Sequence, residues 1–467
     1  MRNLLNIASN SSHADFDKKS EPFKYRKTEI GLIPDDWCLD RLGNLGKFKN
    51  GINKSADDFG FGFPFVNLMD VFGKPEVKGN EDFGLINSSE LDKKEYAVNK
   101  GDVLFIRSSV KPSGVGLTTV VLSDLKETVY SGFLIRFRSN EQLVTEFKKH
   151  CFYEQAFRSR IISGSTVSAN TNINQDTLKE ILIAFPSSKD EQIAIANALS
   201  DVDALIEELE KLIAKKQAIK TATMQQLLTG RTRLPPFGFE KSAHHPDGRK
   251  KGYKPSELGE IPEDWEVYPL GNLVKSTQLG GNYKNTEQDS VHPLIKMGNL
   301  GRGHIKLDKL EFIVGIAKQI DRLNYGDLLF NTRNTLELVG KVSVWRNELP
   351  EAYFNSNLMR ICFKNELVGS NFYMNAVMNS ESFVNDLSDI ATGTTSVAAI
   401  YSRDLLQLRI ALPQPDEQIC IAEVLINMDD EIQLLEQRLN KTRQIKQGMM
   451  QELLTGKTRL VKPAEPA

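Results

Sequence analysis

The first group of residues that could support chemistry is Gly456-Lys457-Thr458, which has the order that ends a phosphate-binding loop. That motif also needs a glycine five positions earlier, where this chain has Gln451. The counterpart in the first half of the chain, Gly230-Arg231-Thr232, lacks the lysine, and each group follows a helical pattern instead of a strand. A glycine that ends a helix and is followed by cations explains both groups better than nucleotide binding does.

Three further groups also fail as reactive sites. Leu234-Pro-Pro-Phe237 is similar to the target-base loop of amino-methyltransferases, but leucine has no side-chain carbonyl to accept the target amine. His244-His245 have no partners at metal-ligand spacing, and Glu76-Val-Lys78 is too loosely spaced from Asp57 or Asp58 for a nuclease site. No Gly-x-Ser-x-Gly motif occurs. The sequence therefore predicts no self-contained catalytic site, no metal site and no cofactor in this chain.

Composition points to a multidomain globular protein with no membrane span. The chain has 467 residues, 40% hydrophobic and 26% charged, and no run of about 18 apolar residues. Its four cysteines are scattered without a Cys-x-x-Cys pair, which favours the cytoplasm. The net charge of -2 means that any DNA-binding surface must concentrate its positive charge locally.

Four sequence blocks occur twice along the chain, in the same order. Chance matches would not keep four blocks in the same order at nearly the same offset. The four pairs, at offsets of 228, 225, 226 and 226, are Tyr25-Arg-Lys-Thr-Glu-Ile-Gly-Leu-Ile-Pro-Asp-Asp-Trp37 with Tyr253-Lys-Pro-Ser-Glu-Leu-Gly-Glu-Ile-Pro-Glu-Asp-Trp265, Gly101-Asp-Val-Leu-Phe105 with Gly326-Asp-Leu-Leu-Phe330, Asp190-Glu-Gln-Ile193 with Asp416-Glu-Gln-Ile419, and Leu227-Leu-Thr-Gly230 with Leu453-Leu-Thr-Gly456.

Each copy consists of a globular part and a long helix. The globular parts mix short β-rich runs, such as Asp102-Val-Leu-Phe-Ile106, Phe133-Leu-Ile-Arg-Phe137 and Leu358-Met-Arg-Ile-Cys-Phe363, with helical patches, which predicts an α+β fold. The helices begin after Pro186 or Pro415 and end at a glycine. The predicted divisions are a polar tail 1–21, a globular domain 22–188, a helical spacer 189–234, a linker 235–252, a second globular domain 253–412, a second helical spacer 413–460 and a tail 461–467.

Both helices keep a heptad pattern of apolar residues, which predicts that they pair. The alternative is two amphipathic helices that pack on separate cores. The pairing positions are Leu199, Val202, Ile206, Leu209 and Ile213 in the first helix and Leu425, Met428, Ile432, Leu435 and Leu439 in the second.

Charge predicts that the two helices run antiparallel. Residues 190–210 contain seven acidic residues and no basic one, whereas residues 211–233 contain six basic residues and no acidic one. The second helix repeats this gradient, with Glu452 as its one exception. Only an antiparallel pair places acidic halves against basic halves, which gives a pseudo-twofold arrangement. A helix of about 39 residues is roughly 58 Å long, enough to hold two domains on DNA half-sites at least ~34–36 Å apart.

The two blocks Ile-Pro-x-Asp-Trp and Asp-Glu-Gln-x-x-Ile, followed by a helix that ends Leu-Leu-Thr-Gly, resemble the specificity subunit of type I restriction-modification enzymes over residues 25–460. Pro186-Ser-Ser-Lys-Asp-Glu-Gln192 departs from that pattern, because it lacks a second proline. The resemblance implies two target recognition domains that read a bipartite site, and helices that act as a ruler. It also implies that the chain is not catalytic, and that S-adenosylmethionine, ATP and Mg belong to partner subunits.

Polar loops next to the repeated strands are the expected DNA contacts, because Arg and Asn read bases and Ser and Thr bind phosphates. Arg107 and Arg333 fall at nearly equivalent positions. The alternative for each loop is an ordinary solvated turn. The candidates are Arg107, Ser108, Ser109, Lys111, Ser165, Thr166, Asn170 and Asn172 in the first copy and Asn331, Arg333, Asn334, Thr394, Thr395, Tyr401 and Arg403 in the second.

The expected partners are double-stranded DNA, two methyltransferase subunits and restriction/translocase subunits. Three other functions remain open: the specificity subunit of a solitary methyltransferase complex, a methyltransferase or nuclease with a cryptic site, and a coiled-coil assembly protein that does not read DNA. Cofactor binding by the isolated chain would favour the enzyme, and a failure to enrich any DNA sequence would favour the assembly protein.

Overall fold

A computed structural model describes residues 24–235, 237–242, 245–289, 291–394 and 396–460. The chain divides into two compact units, of which unit 1 comprises Met1–Glu208 and Arg438–Ala467 and unit 2 comprises Leu209–Gln437. The boundary falls inside both long helices, so each unit contains the start of one helix and the end of the other. The predicted tails 1–21 and 461–467 lie outside the described residues.

Unit 1 is built from short strands and short helices that precede a long helix. Its strands are β1 (Tyr25–Thr28), β2 (Gly31–Pro34), β3 (Trp37–Arg41), β4 (Gly46–Asn50), β5 (Phe59–Val66), β6 (Glu76–Val77), β7 (Gly84–Ile86), β8 (Val103–Ile106), β9 (Ser108–Ser109), β10 (Thr118–Val121), β11 (Val129–Tyr130), β12 (Leu134–Ser139), β13 (Thr166–Val167), β14 (Thr171–Asn172) and β15 (Leu182–Pro186). Its helices are α1 (Leu42–Leu45), α2 (Leu68–Val71), α3 (Glu90–Glu95), α4 (Thr145–Cys151), α5 (Gln155–Ser163) and α6 (Gln175–Glu180), followed by the first half of α7 (Lys189–Leu228).

Unit 2 repeats this order after the end of α7. Its strands are β16 (Phe239–Ser242), β17 (His245–Lys250), β18 (Tyr253–Ser256), β19 (Gly259–Pro262), β20 (Glu266–Pro269), β21 (Val274–Leu279), β22 (Asn285–Thr286), β23 (Pro293–Ile295), β24 (Glu311–Ile313), β25 (Leu328–Asn331), β26 (Arg333–Asn334), β27 (Val342–Val344), β28 (Tyr353–Phe354), β29 (Leu358–Phe363), β30 (Thr392–Gly393), β31 (Ala398–Ala399) and β32 (Arg409–Leu412). Its helices are α8 (Leu270–Leu273), α9 (Asn371–Met378), α10 (Glu381–Ile390) and α11 (Ser402–Leu405), followed by α12 (Pro415–Leu453), whose end belongs to unit 1.

The central sheets of the two units share their strand order over four strands, and the sheet of unit 1 has β6 as a fifth strand. In unit 1 the order is β4-β12-β8-β10-β6, and in unit 2 it is β21-β29-β25-β27. The apolar runs that predicted strands form the middle of these sheets, where β12 pairs antiparallel with β8 and β29 with β25. A second sheet also recurs, with β11 parallel to β5 in unit 1 and β28 parallel to β23 in unit 2. The predicted tandem α+β repeat is therefore confirmed.

Each globular core continues into the end of a long helix. In unit 1, Phe105, Phe137 and Phe152 pack in one cluster with Leu453 and Leu454, and all are nearly or fully buried. In unit 2, Leu227 is buried in the same cluster as Phe330 and Met374. Because burial of large apolar side chains is the main stabilising term, each helix end is fixed to a globular domain.

The short helices begin at side chains that cap them. Ser89, Asn174, Ser370 and Ser380 each accept a hydrogen bond from the backbone of the first helical turn, which satisfies one of its otherwise unpaired N–H groups. These polar residues lie between apolar runs in the sequence, so the helix starts follow from local chemistry.

The long helices end at left-handed glycines, as the Leu-Leu-Thr-Gly blocks predicted. Gly230 has φ +69° and Gly456 has φ +72°, a conformation that favours glycine. A Cβ atom at Gly230 would collide with the ring of Pro262, and one at Gly456 with the ring of Pro34. Both prolines belong to Ile-Pro-x-Asp-Trp blocks. Within each unit, the Leu-Leu-Thr-Gly block therefore contacts an Ile-Pro-x-Asp-Trp block.

The segment 235–252, expected to be a linker, contains a β-hairpin. Strands β16 and β17 pair antiparallel with a register shift between Glu240 and Ser242. Of the two adjacent histidines, His244 lies outside the described residues. No helix in the described parts of the chain is both long enough and apolar enough to cross a membrane.

Candidate nucleic-acid interface

A small three-stranded sheet brings together the candidate residues of unit 1, and we call it short sheet 1. It consists of β13, β14 and β9 in that order. Asn172 pairs with both Ser108 and Thr166, and Thr171 pairs with Ser109. Two loops that lie more than fifty residues apart in the sequence therefore form one surface.

Unit 2 contains the corresponding sheet, short sheet 2, built from β30, β31 and β26. Arg333 pairs with Ala399, and Asn334 pairs with Ala398. The same two alanines pair with Thr392 and Gly393 on the other side of β31. Short sheets 1 and 2 therefore share one topology but carry different side chains.

Backbone hydrogen bonds fix the equivalence of the two sheets. The amide of Ile173 donates to Arg107 O at 2.9 Å, and the amide of Ile400 donates to Thr332 O at 3.0 Å. Arg107 therefore corresponds to Thr332, and Arg333 corresponds to Ser108. Arg107 and Arg333 are therefore near-equivalent, as the sequence offset predicted, and the strand registers set them one residue apart.

The candidate residues differ in how far their side chains are exposed. Lys111, Thr166, Asn170, Arg333, Thr394, Tyr401 and Arg403 are exposed, whereas Arg107, Ser108, Ser109, Ser165, Asn172 and Asn334 are half-buried. Thr395 lies outside the described residues. The Ser165 hydroxyl donates to the carbonyl of Ile161 at 2.7 Å, so it is partly used within its own turn.

Asn331 must be removed from the candidate set. Its side chain is fully buried, its Nδ2 lies 3.4 Å from the carbonyl of Leu338, and its Oδ1 accepts from the amide of Arg333. The residue ends the buried strand β25, so its side chain shapes the turn that presents Arg333. The sequence showed only a polar residue in a polar loop and did not reveal this burial.

Exposed apolar residues on the same loops were missed. Val110 is 81% exposed, Val167 72%, Val397 67% and Phe133 58%. Val167 and Val397 lie in the hairpins of short sheets 1 and 2, respectively. The sequence signal for the exposed valines is an isolated valine among Ser, Thr and Gly residues, because a turn of such residues has no core in which a valine side chain can be buried.

An ionic cluster around a buried arginine joins three of the four repeated blocks, or residues beside them, within each unit. In unit 1, Arg459 donates to Asp36 at 2.7 and 2.9 Å and to Glu191 at 2.6 Å, beneath the ring of Trp37. In unit 2, Arg233 makes the same set of bonds with Asp264 and Glu417, close to Trp265. We call these clusters junction 1 and junction 2, and they explain why the same blocks recur.

The electrostatics of the junctions follow from this pairing. The hydrogen bond from Arg459 holds the pKa of Asp36 below its usual value. Burial raises the pKa of Asp264, but hydrogen bonds from Arg233 and Lys251 outweigh that effect and bring the pKa to about 2. Both carboxylates therefore stay ionised and help to hold the helix ends against the globular domains.

Within each unit the two helix segments run antiparallel, as the charge gradient predicted. In unit 1, Asp203 lies 2.6 Å from Lys446, and Glu191 pairs with Arg459, which comes later in the chain. In unit 2 the pairs are Lys216 with Glu431 at 2.7 Å, Lys220 with Asp429, and Arg233 with Glu417. As residue numbers rise along one segment, the partner numbers fall along the other.

The residues predicted to pair the helices lie on the inner side of these segments. Leu199, Leu209, Ile213, Leu425, Ile432 and Leu439 are buried, and Val202, Ile206, Met428 and Leu435 are half-buried. The apolar stripe therefore coincides with the sides that are shielded from solvent.

The motifs that were rejected as reactive sites have structural roles. The carboxylate of Glu76 lies 2.7 Å from Lys149 and 3.0 Å from Lys78, and Asp58 caps the turn that begins at Ser55. Across the described residues, no group of three His, Cys, Asp or Glu side chains could hold a metal ion.

Comparison with known proteins identifies the family. The family model described as type I restriction modification DNA specificity domain matches residues 34–221 and again residues 262–444. The chain is 26% identical over 449 residues to the type I restriction enzyme MjaVIII specificity subunit of Methanocaldococcus jannaschii, covering 92% of this chain and 94% of that protein. It is 27% identical to the putative MjaX specificity subunit of the same organism, covering 95% and 98%.

Solved structures support the same fold. The crystal structure of a type I restriction-modification S subunit from M. genitalium matches with a TM-score of 0.53 and 14% identity, covering 89% of this chain and 96% of that one. A chain from a study of complex assembly and conformational transition in the type I R-M system matches with a TM-score of 0.51 and 16% identity, covering 94% and 100%. This chain therefore belongs to the type I restriction-modification DNA specificity family, and with two such domains in tandem it is a specificity subunit.

Proposed function

We propose that each globular domain reads one half of a split DNA target through its short sheet and the adjoining loops. The observation that carries this proposal is one scaffold with two different surfaces. Ser108 and Ser109 occupy the strand positions in short sheet 1 that Arg333 and Asn334 occupy in short sheet 2. The same docking frame with different side chains is what two unlike half-sites require.

The exposed side chains have the chemistry of groove recognition. The guanidinium of Arg333 can donate two hydrogen bonds to guanine or one to a phosphate, and Asn170 can pair with adenine. Val167 and Val397 can contact a thymine methyl group. Tyr401 and Arg403 flank short sheet 2 and extend the polar surface.

We also propose that the chain is not catalytic. The carboxylates that first suggested a nuclease site are engaged in ion pairs or helix caps, which supports this view. Methylation with S-adenosylmethionine and cleavage with ATP and Mg would then belong to partner subunits. The chain would work where its DNA is, in the cytoplasm.

Two methyltransferase subunits are the proposed helix partners. Large aliphatic side chains are exposed at corresponding places on both long helices: Ile193 and Ile419 differ by 226, as do Ile219 and Ile445. Equivalent exposed apolar positions on the two copies would give two equivalent docking surfaces. This pattern favours one methyltransferase subunit for each copy.

The test is selection of bound sequences from a random duplex pool, with and without methyltransferase subunits. The expected result is a consensus of two fixed half-sites separated by a spacer of constant length. Enrichment of no sequence under either condition would overturn the proposal and favour an assembly protein.

A second measurement separates this function from an enzyme with a cryptic site. Calorimetric titration of the isolated chain with S-adenosylmethionine should give no binding heat, whereas a complex with methyltransferase subunits should bind it. Saturable binding by the isolated chain would contradict the non-catalytic assignment. Whether added restriction subunits join this complex then distinguishes a full restriction complex from a solitary methyltransferase complex.

A further inference from the structure

Unit 2 contains a cavity of about 170 Å³ beside its helix pair. Its walls come from α7, α9 and α12, and from the turn that carries Arg302 and Gly303. Three cationic side chains line it, those of Lys220, Arg302 and Arg346, against one carboxylate, that of Asp429. This carboxylate is already paired, because Lys220 binds it and Arg346 lies 3.3 Å away.

Arg302 is the cation in this cavity that lacks a partner. Its Nη1 is buried and has no hydrogen-bond acceptor among the described residues. Burial lowers the pKa of its guanidinium, which shows that the positive charge is partly desolvated. A buried cationic donor left unpaired is costly, and such a group in a folded protein points to a bound water or ion.

Two more cations reinforce the positive field around Arg302. Burial first, and then repulsion from Lys306 and Arg302, lowers the pKa of Lys341. Lys306 and Arg302 therefore lie close enough to Lys341 to disfavour its charge. The positive field that these cations add favours an anion beside the unpaired Nη1 of Arg302.

Unit 1 shows how the same region is satisfied internally. Phe147 in α4 and Tyr373 in α9 are both fully buried at an offset of 226, so Lys149 corresponds to Asn375 in the cavity wall. Lys149 lies 2.7 Å from the carboxylate of Glu76. In unit 1 the carboxylate of Glu76 therefore pairs with Lys149. In unit 2 the corresponding position holds the amide of Asn375, and beside it lies Arg302, whose Nη1 has no acceptor among the described residues.

We propose that the cavity of unit 2 binds a phosphate group, with Arg302 as its main ligand. Arg302 donates to the phosphate oxygens, and Lys306 and Lys341 add long-range attraction. Asn375 and Asn379 lie on the same wall, and the Oδ1 of Asn379 is a buried acceptor without a partner among the described residues, so it can accept only from a protonated phosphate oxygen or from a water. The phosphate is either a free ion or part of a DNA backbone, and the same oxygens serve in both cases.

The first arm of the test is calorimetric titration of the full chain with inorganic phosphate at constant ionic strength. Wild type should bind with one saturable site, and Arg302→Gln should weaken binding at least tenfold. Arg302→Lys should retain part of the affinity, because it keeps the charge. The matched control is Arg409→Gln, which removes an arginine of unit 2 that pairs with Glu257, and it should bind phosphate like wild type.

The second arm identifies the source of the phosphate. If the group belongs to DNA, Arg302→Gln should reduce the slope of log affinity against log salt by about one while the preferred sequence stays the same. If the ion is free, the slope of log DNA affinity against log salt should not change, and Arg302→Gln should lose only phosphate binding.

Thermal unfolding in chloride buffer controls for misfolding. Arg302→Gln should melt no lower than wild type there, because it removes an unpaired buried charge, whereas added phosphate should raise the melting temperature of wild type more than that of the variant. The assignment is overturned if wild type shows no saturable phosphate binding and the DNA slope is unaffected. It is also overturned if Arg302→Gln weakens only the binding of a methyltransferase subunit, since the cavity would then take an acidic protein group.

Discussion

In the proposed interface, single residues decide what each short sheet can recognise. Short sheet 1 presents small hydroxyls, from Ser108 and Ser109, at the positions where short sheet 2 presents Arg333 and Asn334. Hydroxyls accept or donate with little base preference, whereas the arginine fork is selective for guanine. We therefore expect the strand β26 to contribute more to sequence discrimination than β9.

Replacing Arg333 tests this difference. Arg333→Ala should weaken binding of the selected duplex by about 1–3 kcal/mol, because one exposed guanidinium is removed from the interface. Sequence selection should show a relaxed position in one half-site and an unchanged second half-site. Arg41→Ala, which removes an exposed arginine of unit 1 that pairs with Glu180, is the matched control and should bind like wild type. Equal relaxation of both half-sites would contradict the assignment.

The depressed pKa of Asp264 gives junction 2 a defined pH dependence. Because the folded pKa is about 2 and the ordinary value is 3.8, ionised Asp264 stabilises the fold above about pH 4, and this contribution is lost as the pH falls towards 2. Asp264→Asn should therefore lower the melting temperature at pH 7, and the difference from wild type should shrink below pH 4. The exposed Asp308→Asn is the control and should show little difference at either pH. A difference that grows in acid would contradict this reasoning.

At the scale of elements, the proposed function requires the paired helices to set the length between the two recognition domains. Their apolar stripe repeats every heptad and their charges fall in two halves, so an added heptad between the halves preserves the pairing while it lengthens the segment by about 10 Å, or about three base pairs. The boundary between units 1 and 2 falls inside both helices and is the natural place for such an insertion.

One heptad inserted at this boundary in both helices should lengthen the selected spacer by about three base pairs. Both half-sites should be unchanged, because the short sheets are not altered. A heptad inserted in only one helix is the control, and it should weaken binding because ion pairs such as Asp203 with Lys446 lose their register. Altered half-sites in the double insertion would show that the helices do more than set a length.

At the scale of the whole molecule, the charge balance limits what the isolated chain can do. Acidic residues of the helices are paired within each unit, but the net charge is still -2. We expect the isolated chain to bind DNA weakly and with a steep salt dependence, and to bind at least tenfold more tightly with methyltransferase subunits present. Electrophoretic shifts at two salt concentrations would measure both effects. Equally tight binding by the isolated chain would contradict this expectation.

The repeat, the long helices and their orientation could be predicted because each leaves a periodic or duplicated signal. The blocks around Trp37 and Trp265 recur because junctions 1 and 2 use the same contacts. The short sheets could not be predicted, since strands of two residues, such as Thr166–Val167, have no periodicity and depend on partners far away in the sequence. The burial of Asn331 could not be predicted either, because it also depends on partners that the sequence pattern does not show.

Junction 1 has a consequence for synthesis on the ribosome. Its Asp36 and Trp37 are made long before Arg459 and Gly456, whose carbonyl accepts the hydroxyl of Tyr25. At about 5–20 residues per second, roughly 20 to 80 s separate them. Unit 2 is continuous in the chain and can close earlier, so unit 1, which begins first, must wait for residues 438–460 before junction 1 can form.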